Sequence, residues 1–362
     1  MRTLTREQVL AFRVRAQQLD RTAGTVDDTA VLDLGVQDTG TDGGQWALAL
    51  RGVADVPQGD LALAWTLRGA PHLYRRADLP GVLPSTAPFS DADAAKRIVD
   101  AAKPLRAAGI PVLEALDVVA AEMRDLVRAP MVKGDVSGGL NARMPGPYQR
   151  FCRPCDAVHV YEMPFRLAAL RAGLELEPGT SPPVLRPVPG LVAAPEVPEH
   201  LDVVRGYLRL LGPATPAHVA GYLDAPVPDV REHWPDDAVE VDVDGERRWL
   251  LDDPTTWTAL DPAPPDGMRL LGPFDLFLQG RDRELLVPEK ARAKALWPVL
   301  GRPGAVLAGA ELGGLWRARK AGKRMSVTVT AWSPVDRTAL TEQAERLAAF
   351  RGLALASLDV ED

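Results

Sequence analysis

Two cysteines and a histidine form the one grouping in this sequence with the spacing of metal ligands. Cys152 and Cys155 are separated by two residues, and His159 follows four residues later. Thiolates and imidazoles are typical zinc ligands, but a structural zinc ion needs about four of them. The sequence has no second Cys/His pair, and its other histidines belong to other predicted segments. It therefore predicts packed or solvated thiols and no metal site.

A run of cations near the C-terminus could bind an anionic polymer. Its members are Arg317, Arg319, Lys320, Lys323 and Arg324. Such a run is usually a solvated face, but five cations on one hairpin also predict a track for DNA phosphates. No P-loop, dinucleotide fingerprint or Ser/His/Asp arrangement stands out, so the sequence implies no organic cofactor.

Residues 201–251 have the pattern of a winged helix. Apolar residues recur at helical spacing over 201–211, and Gly212-Pro213 ends that helix. Thr215 caps a second helix, a third ends near residue 234, and two β segments are joined at Asp244-Gly245. This module most often presents a helix to the DNA major groove. Winged helices also dock proteins or play structural roles, and that alternative stays open.

Residues 1–88 are predicted as a first, less regular winged helix. Thr5 and Gln8 have the spacing of a capping box at the start of a helix. The expected elements are helices over about 6–14, 27–34 and 46–50 and strands over 61–67 and 71–74. Arg68 and His72 flank the turn between the strands. The turn is either a surface hairpin with one basic tip or a DNA contact.

Residues 89–190 are predicted as a second winged helix with a decorated loop. Ser90 caps its first helix. The expected elements are helices over 94–108 and 113–128, a Gly/Pro-rich loop over 134–147, a strand over 158–161 and a semi-rigid Pro-rich linker over 177–198. Arg143 and Arg150 lie near the loop and are predicted to contact DNA.

The remaining sequence completes an α+β fold of tandem winged helices and a small C-terminal β-barrel-like domain. Short β segments at 304–307, 312–317 and 325–332 precede a helix over 336–351. The predicted domains are 1–88, 89–190, 191–261 and 262–362. We expect the barrel to be closed by the final helix.

Composition limits the class of protein. The 362 residues are 46% hydrophobic and carry a net charge of −7, which argues against indiscriminate DNA coating but allows a local basic face. No stretch resembles a signal peptide or a membrane span. Two cysteines give no disulfide framework, so a reducing cytoplasm is expected. We expect a monomer that binds double-stranded DNA.

Several short motifs together resemble the AlkZ/YcaQ family of bacterial DNA glycosylases. The matching stretches are Leu34-Gly35-Val36-Gln37-Asp38-Thr39, Thr66-Leu67-Arg68-Gly69-Ala70-Pro71-His72-Leu73, Leu270-Leu271-Gly272-Pro273-Phe274-Asp275 and the segment from Gly313 to Arg317 with the cations that follow it. The module order is similar too. The resemblance implies a catalytic role for Gln37 and its neighbours and a DNA- or lesion-contacting role for Arg68 and His72.

One motif departs from the family pattern. The family has Gln, an aliphatic residue, then Gln or Asp, whereas here Asp38 follows Gln37 directly and Thr39 takes the second polar position. In a helix, that shift would rotate the acid by about 100°. A hydroxyl cannot stabilise an oxocarbenium ion as a carboxylate does. Asp38-Thr39-Gly40 also fits a plain turn in which Asp38 caps local amides.

The resemblance implies monofunctional base excision. Water held by Gln37 and polarised by Asp38 would attack the sugar C1′ of an N7-alkylpurine. Two alternatives remain: a DNA-binding regulator or lesion sensor without the chemistry, supported by the altered motif, and a protein-interaction scaffold, which fits the acidic net charge.

Overall fold

The computed structural model describes residues 2–40, 43–54, 56–57, 59–260 and 265–361. Within these ranges, helices surround four β-sheets. No described helix is both long and apolar enough to span a membrane. The strands are β1 (Arg2–Leu4), β2 (Val36–Gln37), β3 (Leu61–Trp65), β4 (Pro71–Arg75), β5 (Met131–Val132), β6 (Gln149–Cys152), β7 (Ala157–Val160), β8 (Leu174–Leu176), β9 (Val184–Pro187), β10 (Ala238–Val243), β11 (Glu246–Leu251), β12 (Met268–Leu271), β13 (Gly304–Ala308), β14 (Glu311–Ala321), β15 (Arg324–Ala331) and β16 (Ala354–Glu361).

Most of the predicted helices are present. The α-helices are α1 (Arg6–Ala16), α2 (Val31–Leu34), α3 (Gly43–Leu50), α4 (Leu79–Ser85), α5 (Asp91–Arg97), α6 (Ala102–Ala107), α7 (Val112–Leu126), α8 (Lys133–Arg143), α9 (Glu162–Arg171), α10 (Val203–Leu211), α11 (Pro216–Leu223), α12 (Val227–Glu232), α13 (Pro254–Ala259), α14 (Arg283–Leu286), α15 (Lys290–Leu296) and α16 (Arg337–Phe350). Thr5 and Gln8 form the predicted capping box of α1, and Ser90 and Thr215 cap α5 and α11. Local side-chain caps therefore begin these helices as expected.

Strands from the two segments predicted as separate modules form one six-stranded sheet, whereas the strand expected over 158–161 is β7 of a separate two-stranded sheet. The order of the six-stranded sheet is β2-β4-β3-β8-β9-β5, so strands from residues 1–88 and 89–190 are interleaved. All five residues of β3 are buried, and β3 pairs with β4 on one side and β8 on the other. An isolated two-stranded hairpin is marginal in water, whereas a shared sheet buries both faces of β3. The predicted Pro-rich linker contributes β9 to this sheet.

The third predicted module keeps its order of elements but is extended by the start of the chain. Helices α10, α11 and α12 precede the β10–β11 hairpin, whose turn has Asp244 and Gly245 at φ 51° and 85°. Positive φ at both positions suits the two-residue hairpin turn. Strand β1 pairs in parallel with β10, so this hairpin is part of a three-stranded sheet.

The C-terminal segment is an open sheet, which corrects the predicted barrel. Strands β12 to β16 pair in sequence order, and β12 does not pair with β16 in the described ranges. Helix α16 packs on β12 and β16 through an apolar face that includes Leu340 and Leu347. The helix thus covers the apolar sheet face without closure of the sheet. The predicted domain boundary at 261–262 lies outside the described residues.

The stretch predicted as a Gly/Pro-rich loop over 134–147 is largely helix α8. Val136 and Leu140 lie four residues apart and are both fully buried, which gives the helix an apolar stripe. Gly139 faces Leu126 so closely that a Cβ would lie 2.6 Å from its Cδ2. The glycine therefore allows α7 and α8 to approach, and tertiary packing outweighs its low helix propensity.

One apolar core joins the two ends of the chain. Phe12 of α1 and Trp46 of α3 belong to the same buried cluster as Val327 and Leu340 of the C-terminal segment. The indole nitrogen of Trp46 donates to the carbonyl of Leu270 at 2.7 Å. The residues that follow Gln37 are thereby held against the segment that begins at β12.

Candidate functional site

Gln37 ends a short strand that requires a glycine before it. Gly35 has φ +86°, and a Cβ at this position would lie 2.5 Å from the ring of Tyr74. Only glycine fits this close approach at positive φ. Strand β2 then pairs with β4, where Gln37 is opposite His72. The sequence Gly35-Val36-Gln37 therefore places the Gln37 side chain at the edge of the six-stranded sheet.

The amide of Gln37 contacts three polar side chains. Its Nε2 donates to the Thr39 hydroxyl at 2.9 Å. Its Oε1 accepts longer hydrogen bonds from Arg68 at 3.4 Å and Gln279 at 3.5 Å. The amide is thus oriented by groups from three parts of the chain, and the two long bonds are weak enough for water to compete.

Asp38 caps helix α3. Its Oδ1 accepts from the backbone N–H of Gly44 at 2.8 Å, and its own N–H donates to the carbonyl of Pro71. The segment is the end of a strand and not a helix, so the helical rotation of about 100° does not apply. Thr39 lies beside Gln37, while Asp38 is held at the positive end of the α3 dipole.

Arg68 connects the sheet to helix α11. It has φ +57°, which is unusual for a non-glycine residue. Its guanidinium donates to the carbonyl of Tyr222 at 2.7 Å and lies 4.5 Å from that ring centroid. Arg166 donates to the carbonyl of Gly69 and fixes the same turn. The predicted basic turn is therefore rigidly packed against α11 and next to Gln37.

His72 is buried, contrary to the predicted DNA contact. Only 1% of it is exposed, and its Nδ1 lies 3.0 Å from both the Thr66 hydroxyl and the Ala70 carbonyl. Burial, and next the charge of Arg68, lowers its pKa from 6.5 to about 3. A neutral, enclosed imidazole cannot bind phosphate, so His72 supports the strand opposite Gln37.

Four arginines gather around this site, and we call them the arginine cluster: Arg68, Arg281, Arg283 and Arg302. None of them forms an ion pair within 4.0 Å with a carboxylate of the described residues. Burial, and then the charge of Arg68, lowers the pKa values of Arg281 and Arg302. Burial, and then Arg302, does the same for Arg283. Like charges held this close favour the approach of an anion.

The members of this cluster other than Arg68 were not predicted from the sequence. Arg302 lies 5.2 Å over the ring of Phe274, and Arg283 lies 4.8 Å over that of Trp297. The Nε of Arg281 is buried without a hydrogen-bond partner among the described residues. Arg281 and Arg283 are two residues apart, but Arg302 follows 19 residues later, so the one available signal was that the first two come soon after the motif that ends at Asp275.

A cleft of about 610 Å³ extends from Thr39 to the C-terminal sheet. Thr39 and Trp46 line one wall, and Trp316, Ala318 and Lys320 of β14 line the other. Alternate residues of a strand share one face, which explains this set of three. The predicted cationic run is therefore divided: Lys320 faces the cleft, whereas Arg317 and Arg319 lie on the opposite face of the strand.

All five cations of that run are exposed. Arg324 is paired with Ala321 in the β14–β15 register, so it shares the face of Arg317 and Arg319. Lys323 lies at the turn between the strands. No described carboxylate lies within ion-pair distance of these side chains. They remain predicted phosphate contacts.

Arg143 and Arg150 lie elsewhere on the surface, in exposed ion pairs. Arg143 contacts Glu122 at 3.4 Å and Asp125 at 3.0 Å, and Arg150 contacts Asp100 at 3.2 Å. Exposed pairs contribute little stability, so phosphate could replace these carboxylates. Neither arginine contacts the Gln37 group, and their DNA contact remains a prediction.

The structure brings Cys152, Cys155 and His159 close together, although the sequence offers fewer ligands than the four that a structural zinc ion needs. Cys152, Cys155 and His159 each place one possible ligand atom within 4.8 Å of the other two. All three belong to the β6–β7 hairpin and its turn.

Comparison with known proteins connects this geometry to one family. The family described as "DNA glycosylase AlkZ-like" matches residues 32–350. A comparison with curated proteins found no significant match. The solved structure of Streptomyces sahachiroi DNA glycosylase AlkZ is similar in fold, with 21% identity and a TM-score of 0.74 over 99% of this chain and 100% of that one. The mixed α+β architecture is therefore shared along the full length.

Proposed function

Because this chain belongs to the AlkZ-like family of DNA glycosylases, we propose that it hydrolyses the N-glycosidic bond of N7-alkylpurines in duplex DNA. The observation that supports this reaction most directly is the position of Gln37. Its amide lies beside a cluster of arginines without carboxylate partners in the described ranges, and Thr39 next to it lines an open cleft. A polar group that can hold water thus lies next to cations that can hold phosphate.

The chemistry needs a positioned water and negative charge near the sugar. Alkylation at N7 makes the purine cationic and a good leaving group, so little acid catalysis is required. Gln37 orients the water that attacks C1′, and its amide is fixed in turn by Thr39 and Arg68. The purine leaves as a neutral base with the electron pair of the N-glycosidic bond, and the water gives up its proton to the Asp38 carboxylate. Asp38 supplies the carboxylate that stabilises the developing oxocarbenium ion. Its hydrogen bond to Gly44 keeps that charge in place.

DNA binding would use two sets of cations. The arginine cluster grips phosphates next to the lesion, where Arg281 and Arg302 are partly desolvated and already repelled by Arg68. A phosphate bound there would reduce the repulsion between the arginines. This effect adds to the favourable free energy of its direct contacts. Lys320 extends the track along the cleft, and the other cations of β14 and β15 offer further phosphate contacts outside it. The order α10, α11, α12, β10 and β11 suits a winged helix beside this surface, and the protein would act as a monomer.

The test is release of base from duplex DNA that contains N7-methylguanine, followed by strand cleavage at the abasic sites. Wild-type protein should release the base without a metal or organic cofactor in the assay. Gln37→Ala should lose at least about 100-fold in single-turnover rate, because one positioned polar group contributes a few kcal/mol to the transition state. Its affinity for the same duplex should be unchanged, since Gln37 does not bind phosphate.

Two results would contradict this proposal. Wild-type protein that binds alkylated duplex and releases no base would leave a non-catalytic lesion sensor. Protein that binds no DNA at low salt would leave only an interaction scaffold. A Gln37→Ala variant with wild-type rate would remove Gln37 from the mechanism while the glycosylase activity stands.

A further inference from the structure

We propose that Cys152, Cys155 and His159 form a zinc site that fixes the turn of the β6–β7 hairpin. The site is separate from the Gln37 group and from the base-excision chemistry. It is supported by three independent features: the convergence of ligand atoms, a buried imidazole nitrogen without a partner, and a cleft beside the hairpin lined by the same residues.

The register of the hairpin explains how the ligands meet. Cys152 is opposite Ala157, and His159 is opposite Arg150. Cross-strand partners share a face of an antiparallel sheet, and so do residues two apart on one strand. Cys152 and His159 therefore project to the same face. The turn from Arg153 to Asp156, where Asp156 has φ +48°, brings Cys155 back over that face.

His159 supplies the second observation. Its Nε2 is buried and finds no hydrogen-bond partner among the described residues. A buried polar atom without a partner costs about 1–3 kcal/mol, so such atoms normally have a function or a ligand. One ring nitrogen of His159 lies within 4.8 Å of both cysteine sulfurs, a separation that one central ion can bridge with ordinary bond lengths.

The surroundings suit a thiolate-bound cation. A cleft of about 270 Å³ is lined by both cysteines, His159, Lys133 and Arg150. Two thiolates and an imidazole are soft-to-intermediate ligands that select zinc over calcium or magnesium. No fourth His, Cys, Asp or Glu ligand lies close enough within the described part of the chain, so water completes the tetrahedron.

The hairpin pairs with no other described strand, and helix α8 packs against its strand β7. Strands β6 and β7 form a two-stranded sheet of their own, and Phe151 and Val158 are exposed on the face away from the ligands. An isolated two-stranded hairpin is marginal in water. Because the ligands come from both strands and from the turn, one bound zinc would hold all three parts together.

The experiment measures metal in the full-length protein, purified under reducing conditions without chelator. Elemental analysis should give about one zinc per chain, and the metal-free protein should bind Co²⁺ with the thiolate-to-cobalt charge-transfer band of a tetrahedral site. Cys152→Ser, Cys155→Ser and His159→Ala should each weaken zinc affinity by more than about 100-fold, since even a supporting residue around a ligand costs 10- to 100-fold. His233→Ala, a histidine outside the hairpin, should bind zinc normally.

Each other outcome would overturn the proposal. Zinc well below one per chain after reconstitution excludes the site. Zinc that is retained by His159→Ala excludes histidine ligation. A disulfide between Cys152 and Cys155 that persists in reductant, measured by thiol titration, assigns the cysteines to redox pairing. Circular dichroism of each variant distinguishes loss of a ligand from loss of the fold.

Discussion

Arg51 and Asp275 form a bidentate ion pair in the protein interior. Two guanidinium nitrogens of Arg51 lie 2.8 and 2.9 Å from the two carboxylate oxygens of Asp275, and neither side chain is more than 1% exposed. Arg51 directly follows α3, which Asp38 caps at its other end. Asp275 directly precedes the turn that carries Gln279. The pair therefore joins the two segments that hold Gln37.

Asp275→Ala should destabilise the protein by about 3–5 kcal/mol, because Arg51 would remain buried without its counter-ion. The measurement is urea unfolding followed by circular dichroism. Asp100→Ala is the matched control: it removes an exposed carboxylate paired with Arg150, and its effect should stay within about 0.5 kcal/mol. Equal effects of the two substitutions would show that the buried pair is not a structural link.

Local features of the fold were predictable from sequence, and long-range pairings were not. The caps at Thr5 and Thr215 and the turn at Asp244-Gly245 depend on residues within a few positions of one another. The pairing of β1 with β10 depends on residues more than 200 positions apart and leaves no local pattern. The open C-terminal sheet was missed for the same reason, since β16 follows α16 and pairs in parallel with β15.

The candidate site was predictable only where the chain is contiguous. Gln37, Asp38 and Thr39 were identified as one motif, and Arg68, identified from a second motif, contacts Gln37. The arginines near Arg68 come from the chain after β12, so no spacing rule relates them to residue 37. His72 illustrates the opposite case, because its sequence context is that of a hairpin flank while its side chain is enclosed by the sheet.

The negative charge of Asp38 should contribute to catalysis independently of the residue's role as the cap of helix α3. Asp38→Asn retains an oxygen that can accept from Gly44, and Asn is as good a cap as Asp. We expect its stability to change by less than about 1 kcal/mol and its base-release rate to fall by two or more orders of magnitude. Single-turnover kinetics and urea unfolding measure the two effects. A variant with a normal rate would assign Asp38 to the cap alone.

Thr39 should limit the rate, because it takes the position where the family places Gln or Asp. Thr39→Gln adds a longer polar group beside Gln37, next to the open cleft. If Thr39 is the weak element of the motif, base release should rise several-fold over wild type. Thr39→Val is the control, since it keeps the shape but loses the hydroxyl and should slow the reaction. A Gln variant slower than wild type would show that the hydroxyl itself is required.

The two sets of cations should differ in what they do to DNA binding. A triple variant should bind any duplex more weakly than the wild type; its substitutions are Lys320→Ala, Lys323→Ala and Arg324→Ala. The salt dependence of its binding constant should fall by the equivalent of about three counterions. Arg281→Ala with Arg302→Ala should also slow base release at saturating DNA, because these side chains lie near Arg68, which contacts Gln37. Fluorescence anisotropy between about 50 and 200 mM salt gives the slopes. Unchanged affinity of the triple variant would mean that these three side chains are merely solvated.

Burial of His72 should make stability depend on pH in a defined direction. Its pKa is about 3 in the folded protein and 6.5 when exposed, so the unfolded chain binds the extra proton below about pH 6.5. Stability should therefore be greatest above pH 6.5 and decline toward pH 3, by up to about 1.4 kcal/mol per pH unit.

His72→Asn keeps a donor for the Ala70 carbonyl but cannot titrate. Between about pH 7.5 and 5.5, the wild type should lose about 1 kcal/mol more than this variant in urea unfolding. The histidines common to both proteins cancel in the comparison, so equal losses would mean that His72 is protonated in the folded protein.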